Sequence, residues 1–243
     1  MIVLFTDFGL SGPYTGQMQA VLQQQAPGEP VVSLFADAPI GQPRPSAYLL
    51  AAYAAWFPPA TIFLCVVDPE VGSDRRALIV EAEAHTYVGP DNGLFELVMR
   101  RASTPRCWQI TWQPPALSPS FHGRDLFAPI AARVARGVHR TELAHEIAVP
   151  PRRRDWPDDL SEIVYIDHYG NAMTGLRGSQ MPKFANIRAG GQIIPRANTF
   201  SEVPDGETLW YVNANGLVEL AVNGGRADQV LDLTVGGKIE VFA

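Results

Sequence analysis

The chain has 243 residues, of which 47% are hydrophobic and 18% charged, a balance typical of a folded protein with a sizeable core. A net charge of -6 argues against non-specific nucleic-acid binding. The longest apolar run, near residues 47–57, is too short and too interrupted to cross a bilayer, and Cys65 and Cys107 do not make a disulfide framework. Because the N-terminus has no basic leader, we expect a cytoplasmic protein with no membrane partner.

Strands and helices alternate along the first part of the chain. Apolar, β-branched runs predict buried strands, and segments with helical spacing between them predict helices. In chain order these are strand 2–5, helix 13–25, strand 31–35, helix 45–56, strands 61–67, 77–80 and 86–88, helix 94–101, strand 108–111 and helix 126–137. This alternation predicts an α/β domain with a doubly wound, mostly parallel sheet covered on both faces.

The composition changes near residue 150. A segment rich in proline and charge, residues 151–159, is predicted to be a linker between an α/β domain of residues 1–150 and a second domain of residues 160–243. Short alternating strands follow, separated by glycine and asparagine turns, at 163–166, 185–188, 192–195, 209–212, 217–222 and 238–242. They predict a smaller all-β, barrel-like domain.

Acidic residues follow three of the predicted strands: Asp7, Asp68 and Asp91. In open α/β sheets, ligands bind outside the carboxyl ends of the strands, so these residues are candidates for a binding site. By spacing alone, Asp7 and Asp91 are more typical of turn formers. Arg75 alone is typical of a surface ion pair, and His122 of a residue beside a helix that bonds to the backbone. Both interpretations stay open at this point.

Several common chemistries have no motif in this sequence. Phosphate-binding glycine loops, dinucleotide fingerprints, zinc-binding histidine or cysteine pairs and the G-x-S-x-G nucleophile elbow do not occur. The segment Thr6–Gly9 is similar to the kinase magnesium motif, but the other kinase signatures are missing. Neither cysteine has a histidine near it in sequence. We therefore expect water as the nucleophile, with no metal and no cofactor.

Five segments together carry a resemblance to one family. They are residues 2–16, Asp68-Pro69-Glu70-Val71-Gly72 with Arg75-Arg76, Pro90-Asp91-Asn92-Gly93-Leu94, Phe121-His122-Gly123-Arg124-Asp125 and Tyr165-Ile166-Asp167-His168-Tyr169-Gly170-Asn171. In this order they resemble the S-adenosyl-L-methionine hydroxide adenosyltransferases, relatives of the fluorinase and chlorinase. The resemblance spans nearly the whole chain. It implies a homotrimer with the small-molecule substrate held at the subunit interface.

The resemblance also implies roles for individual residues. Asp68, Arg75 and His122 would hold the attacking water and act as the catalytic residues, and Asp7 would bind the ribose hydroxyls. Asp167 and Asn171 would bind the amino group of methionine, and Asn223 would contact adenine through its backbone. The full set of substrate-binding residues that it implies is Asp7, Phe8, Asp91, Asn92, Phe121, Asp167, Tyr169, Asn171, Phe200 and Asn223.

The expected reaction is hydrolysis of S-adenosyl-L-methionine at C5′ to adenosine and L-methionine. The halogenase branch of the family has a tyrosine where Asp68 stands and a serine where Gly123 stands, and a carboxylate at 68 would repel a halide. Two alternatives remain: halogenase-type substitution on the same substrate, and a non-catalytic module that binds an adenosyl ligand. The chain departs from the usual family pattern at Glu70, where glycine is usual, and at Ala214, where serine is usual.

Overall fold

The computed structural model describes residues 1–148 and 153–242. Contacts divide the chain into two compact units, one of Met1–Leu50 and Phe57–Arg153, the other of Ala51–Trp56 and Arg154–Ala243. Of the predicted linker at 151–159, residues 151 and 152 lie outside the described residues. Within the described ranges, no helix is both long and apolar enough to cross a membrane.

A seven-stranded sheet forms the first unit. Its strands are β1 (Ile2–Thr6), β2 (Val31–Phe35), β3 (Ile62–Val66), β4 (Ala77–Ala82), β5 (His85–Pro90), β6 (Arg106–Ile110) and β7 (Ala144–Ile147), in the order β2-β1-β3-β5-β4-β6-β7. The pairs β2/β1, β1/β3 and β3/β5 are parallel. Because β4 is antiparallel to both β5 and β6, β6 runs in the same direction as β5. Of the described strands of this sheet, β4 and β7 run the other way, which confirms the predicted mostly parallel sheet.

The strand order reverses between β1 and β3. The chain passes from β1 to β2 on one side, and β3 then pairs on the other side of β1. Thr6 and Val66, the last residues of β1 and β3, lie opposite each other in this pairing. In open α/β sheets such a reversal opens a crevice at the carboxyl ends of the two strands. Asp7 and Asp68 therefore follow the two strands that border this crevice.

Helices cover the sheet of the first unit. They are α1 (Tyr14–Gln25), α2 (Pro43–Tyr53), α3 (Glu96–Arg101), α4 (Ala128–Ala135) and α5 (Arg140–Leu143); residues 51–53 at the end of α2 belong to the second unit. Met18 and Leu22 of α1 and Ile130 of α4 belong to one buried cluster with Ile2 and Leu4 of β1. The alternate residues of β1 are also fully buried, as expected for a central parallel strand covered on both faces.

The second unit consists of two small antiparallel sheets. Its elements are β8 (Leu160–Ile166), β9 (Ala172–Arg177), β10 (Asn186–Ala189), β11 (Gln192–Ile194), β12 (Thr208–Val212), β13 (Leu217–Val222), α6 (Ala227–Val230) and β14 (Glu240–Phe242). The sheet orders are β12-β13-β9-β8 and β11-β10-β14. The isolated bridges Glu162–Lys238 and Arg196–Trp210 join the sheets beside β14 and beside β11. The strands thus form a barrel-like ring around the fully buried Trp210.

Candidate functional site

Asp68, Arg75 and His122 lie in direct contact in the first unit. The Nε atom of Arg75 donates to Oδ1 of Asp68 at 2.8 Å and to Oδ2 at 2.9 Å, and its Nη2 atom also pairs with Oδ2. The same Nη2 atom lies 2.9 Å from Nδ1 of His122. The side chains of Arg75 and Asp68 are 5% and 3% exposed. The structure thus brings together the three residues that the family resemblance marked as catalytic.

This contact determines the tautomer of His122. A guanidinium can only donate hydrogen bonds, so Nδ1 of His122 is the acceptor and the imidazole proton lies on Nε2. The pKa of His122 is lowered from its ordinary value of 6.5, first by burial and second by the positive charge of Arg75. A neutral imidazole with an Nε2–H donor follows from both observations.

The loop after β3 carries Asp68 towards His122. Turn hydrogen bonds run from the Val71 amide to the Asp68 carbonyl and from Ser73 to Glu70. Gly72 has φ +86°, and a Cβ atom there would lie 2.6 Å from the carbonyl oxygen of Pro119. Glycine is required at this position because the loop approaches the backbone that precedes His122 so closely. This close approach of the two loops fixes the spacing between Asp68 and His122.

His122 immediately precedes a π-helical turn, Gly123–Phe127, which leads into α4. Such turns are rare and occur often at functional sites. A Cβ atom on Gly123 would lie 3.2 to 3.3 Å from atoms of Met18, Phe121 and Phe8. Glycine at this position therefore allows close packing behind the histidine, and a serine there would have to displace a neighbour.

Asp7 lies in the same unit, after β1. Its Oδ2 atom accepts a hydrogen bond of 2.7 Å from the Gly41 amide. Burial raises the pKa of Asp7 above its ordinary 3.8, while the Gly41 hydrogen bond acts in the opposite direction and the negative charge of Asp68 adds to the rise. The Gly41 hydrogen bond therefore holds the Asp7 carboxylate at the carboxyl end of β1.

Three aromatic rings pack against one another in the first unit, and two of them are next in sequence to Asp7 and His122. Phe8, Tyr14 and Phe121 have ring centroids 5.3 to 5.8 Å apart, with Phe121 edge-on to the other two. Together with Gln17, Ser118, Ser120 and Arg124 they line a cavity of about 380 Å³. Of these rings, the sequence predicted Phe8 and Phe121 as substrate-binding and missed Tyr14, whose place at the start of a helix is unremarkable.

Asp91 and Asn92 make their contacts within the protein. The Asp91 carboxylate accepts from Nε of Arg76 at 2.7 Å and lines a separate cavity with Glu96 and Arg153. Asn92 is buried; its Nδ2 atom donates to the Val67 carbonyl at 2.8 Å, and its Oδ1 atom accepts from the Leu94 amide at 3.2 Å. Asn92 therefore holds the backbone immediately before Asp68.

A second group of predicted residues lines a cavity of about 520 Å³ in the second unit. The Asp167 carboxylate accepts from the Asn171 amide at 2.9 Å and from Asn171 Nδ2 at 3.3 Å, closing a tight turn between β8 and β9. Phe200 lies edge-on to Tyr211, with ring centroids 5.3 Å apart. The residues lining this cavity are Asp167, Tyr169, Asn171, Phe200, Tyr211, Glu219, Val222, Gly224 and Gly225.

Sequence reasoning missed Glu219 and Tyr211. Glu219 is 2% exposed, and its carboxylate accepts from the Tyr211 hydroxyl and, at 2.8 Å, from Asn213 Nδ2. Burial raises the pKa of Glu219 above its ordinary 4.5 despite these donors. A glutamate in the apolar run of β13 was the signal that could have identified it, because a buried carboxylate needs a specific reason.

Asn223 lies beside this cavity without lining it. Its amide donates to the Glu207 carbonyl at 3.0 Å, and its own carbonyl accepts from Gly206 at 2.7 Å. Its Nδ2 atom donates to the Val203 carbonyl at 2.9 Å. The neighbouring Gly224 and Gly225 line the cavity in its place. Within the described residues, no group of three or more His, Cys, Asp or Glu side chains could hold a metal ion.

Two family models match the chain. The SAM hydroxide adenosyltransferase N-terminal domain matches residues 2–144, and the SAM hydroxide adenosyltransferase C-terminal domain matches residues 161–240. Apart from Ala51–Trp56, the two matched segments fall in the first and the second unit respectively, and together they cover most of the chain.

Curated relatives and solved structures agree with these matches. A Thermus thermophilus protein named (R)-S-adenosyl-L-methionine hydrolase is 36% identical, with 99% of each chain covered. A Salinispora tropica protein of the same name is 34% identical, covering 98% of this chain and 96% of its own. A crystal structure of an uncharacterized conserved protein from Thermotoga maritima has a TM-score of 0.90 at 28% identity, with both chains fully covered. A conserved hypothetical protein from Thermus thermophilus has a TM-score of 0.79 at 35% identity, with 99% of each chain covered.

Proposed function

Since the chain belongs to the SAM hydroxide adenosyltransferase family, we propose that it hydrolyses S-adenosyl-L-methionine to adenosine and L-methionine. The contact of Asp68, Arg75 and His122 is the observation that carries the proposal. These three side chains come from two loops that are 47 residues apart at Arg75 and His122, and they meet in the first unit beside the sheet crevice.

The reaction joins one water to the substrate. The water oxygen forms a bond to C5′ as the C5′–S bond breaks, the sulfur leaves with the bonding pair as the thioether of methionine, and one proton is released. Since the leaving group departs neutral from a sulfonium, the protein needs no general acid for it. The task of the side chains is to orient one water and accept its proton.

The charges in the cluster fit this task. Water has a pKa of ~15.7, so it becomes a good nucleophile only beside a proton acceptor and groups that stabilise developing hydroxide. The Asp68 carboxylate supplies the acceptor, and Arg75 holds it in place through both of its oxygens. The Nε2–H group of His122 is left as a donor, because Nδ1 faces Arg75. Holding one water in the correct orientation would by itself supply much of the acceleration of its attack on C5′.

In the proposed homotrimer, the first unit of one subunit and the second unit of a neighbouring subunit both bind the substrate. Asp7 is proposed to bind the ribose hydroxyls, since a carboxylate accepts from both neighbouring hydroxyl groups. Asp167 with Asn171 is proposed to bind the ammonium group of the methionine moiety, and the rings of Phe8, Phe121, Tyr169 and Phe200 to contact its apolar parts. Asp91 and Asn92 keep a supporting part in this proposal, because their side chains are engaged by Arg76 and by the backbone.

A homotrimer is part of the proposal as well. Its test is the mass of the protein in solution, which should be three times the 26.5 kDa of one chain. No cofactor is proposed, since the substrate itself carries the activated adenosyl group.

The function is tested by incubating the protein with S-adenosyl-L-methionine in water enriched in ¹⁸O. We expect adenosine and L-methionine in equal amounts, with the label in the 5′-hydroxyl of adenosine. An unlabelled 5′-halogenated nucleoside, formed only with added chloride or fluoride, would indicate halogenase-type chemistry instead. Label in any product other than adenosine would show that water attacks a different atom and would contradict the proposal. Tight binding with unchanged ligand would indicate a non-catalytic module. His122→Ala protein serves as the control for any contaminating activity.

A further inference from the structure

One cavity of the first unit is lined by none of the residues assigned to the reaction. It has a volume of about 790 Å³ and lies between α1, α4 and the segment after β6. Three arginines line it, Arg124, Arg133 and Arg136, together with one carboxylate, Asp125. Pockets for small organic ligands occupy roughly 300–1,000 Å³, so this cavity has the capacity of a ligand site.

Two of the three arginines have no carboxylate partner among the described residues. Arg124 pairs with Asp125 through Nε at 2.6 Å and Nη2 at 3.0 Å. Within the part of the chain that the structure describes, neither Arg133 nor Arg136 makes an ion pair. The cavity therefore carries an excess of two positive charges in a chain whose net charge is -6. The excess is the opposite of what the overall composition predicts.

Arg133 has an unusual environment. Its guanidinium lies over the ring of Trp112, with 4.6 Å from Cζ to the ring centroid. Its Nε atom is buried and has no hydrogen-bond acceptor among the described residues. Buried polar groups in folded proteins nearly always have partners, so the Arg133 guanidinium has unused hydrogen-bonding capacity beside the cavity that it lines. Arg133 and Arg136 lie at the C-terminal end of α4, where the helix dipole favours positive charge. The dipole does not explain why the buried Nε atom of Arg133 lacks an acceptor among the described residues.

We propose that this cavity is a binding site for a phosphate monoester. A phosphate monoester carries close to two negative charges at pH 7, which matches the two unpaired guanidinium groups. Its oxygens accept the forked hydrogen bonds that arginine donates. The rest of the wall includes Trp112 and Pro27, Pro114, Pro115 and Pro129, with amides from Gln24 and Gln25. An aromatic ring and several prolines suit the organic part of such a ligand.

The site also has a connection to the segment of His122. Arg124 donates through Nη1 to Gln17 of α1 at 2.9 Å, and Asp125 accepts from the Ser118 amide at 2.9 Å. An anion beside Arg124 would compete with Asp125 for that arginine. Binding of an anion in this cavity would not require the proposed hydrolysis.

The test uses isothermal titration calorimetry with glycerol 3-phosphate and with inorganic phosphate, at constant ionic strength set by sodium chloride. We expect saturable binding to the wild-type protein and at least a tenfold weaker binding to Arg133→Gln and to Arg136→Gln. Stronger binding of glycerol 3-phosphate than of inorganic phosphate would assign the site to an organic ester, and the reverse would restrict it to the free anion and overturn the ester proposal.

Arg196→Gln is the matched control. Arg196 also lies over a tryptophan, 5.2 Å from the ring centroid of Trp210, and it belongs to the second unit. This variant should bind both probes as the wild type does. Absence of saturable binding at 10 millimolar probe, roughly the weakest affinity worth calling a site, would overturn the proposal. An equal loss in all three variants would do the same. Circular dichroism of each variant separates lost binding from lost folding.

Discussion

Nη2 of Arg75 lies 2.9 Å from Nδ1 of His122, and the same guanidinium pairs with Asp68 through Nε. One side chain therefore orients the carboxylate and selects the histidine tautomer at once. Its Cζ atom also lies 5.2 Å from the centroid of the Phe127 ring, which supports it from the turn that precedes α4. A flat, forked cation is needed for these interactions together, and lysine cannot replace it.

We predict that Arg75→Lys lowers kcat by about 100-fold, since a single ammonium cannot hold both Asp68 and His122. The KM for S-adenosyl-L-methionine should change by less than about threefold, because the hydrogen bonds that this substitution removes belong to the water site. Arg76→Lys is the control, because the neighbouring arginine pairs with Asp91 instead. Equal effects of both substitutions would contradict the assignment.

Substitutions at Asp68 and at Asp7 should change different kinetic parameters. Asp68→Asn keeps the side-chain shape and removes the proton acceptor, so kcat should fall by about 10²–10⁴-fold with KM little changed. Asp7→Asn should instead raise KM, because Asp7 is proposed to bind ribose. Steady-state kinetics of the two variants make the comparison. If Asp68→Asn mainly raised KM, this carboxylate would be a binding group and not the acceptor.

The lowered pKa of His122 predicts a particular pH dependence of stability. In the unfolded chain the histidine takes up a proton below about pH 6.5, while the folded protein resists it. The contribution of neutral His122 is thus fully present above that pH and is lost as the pH falls through the lowered folded-state pKa. Urea unfolding at pH 7.5 and pH 5 should show a larger loss of stability for wild type than for His122→Gln. Equal losses in the two proteins would show that the pKa of His122 is not lowered by folding.

Gly72 tests the close approach of the two loops. Gly72→Ala places a methyl group 2.6 Å from the Pro119 carbonyl oxygen in addition to the strain of φ +86°. Gly28→Ala has nearly the same φ, +89°, with nothing within 4 Å of the new Cβ. We expect Gly72→Ala to lower the unfolding free energy by about 1–3 kcal/mol more than Gly28→Ala does. It should also reduce kcat, since this approach sets the spacing of Asp68 and His122. Thermal unfolding and kinetics of both variants decide this.

Asn92 should act through the backbone. Asn92→Ala leaves the buried Val67 carbonyl and Leu94 amide without partners, which costs about 1–3 kcal/mol for each group left unsatisfied. We expect a lower melting temperature and a lower kcat, with KM unchanged. Asn198→Ala is the control, since its exposed side chain bonds to Glu202 at the surface of the second unit. A large rise in KM for Asn92→Ala would restore it as a substrate contact.

The sequence determined the kind of fold, because local patterns report it directly. The runs Ile2–Phe5 and Ile62–Val67 are short and apolar on both faces, which is the pattern expected of a strand covered on both sides. The all-β part was visible in its glycine turns and short strands. Of the strands in residues 1–148 and 153–242, β7 and β9 were not predicted. Of these, β9 contains a glycine and is held between β8 and β13, so its partners and not its own residues define it.

Tertiary structure decided which polar side chains act together. Arg75, Arg76, Asp68 and Asp91 are close in sequence and similar in type, yet one arginine turns to Asp68 and His122 and the other to Asp91. Glu219 and Tyr211 meet only because β12 and β13 pair with these two residues opposite each other. Side-chain pairings of this kind depend on strand order, register and loop approach, which are properties of the whole packed chain. The residue pattern alone specifies periodicity and burial, and distances across the fold arise only when the strands have taken their places.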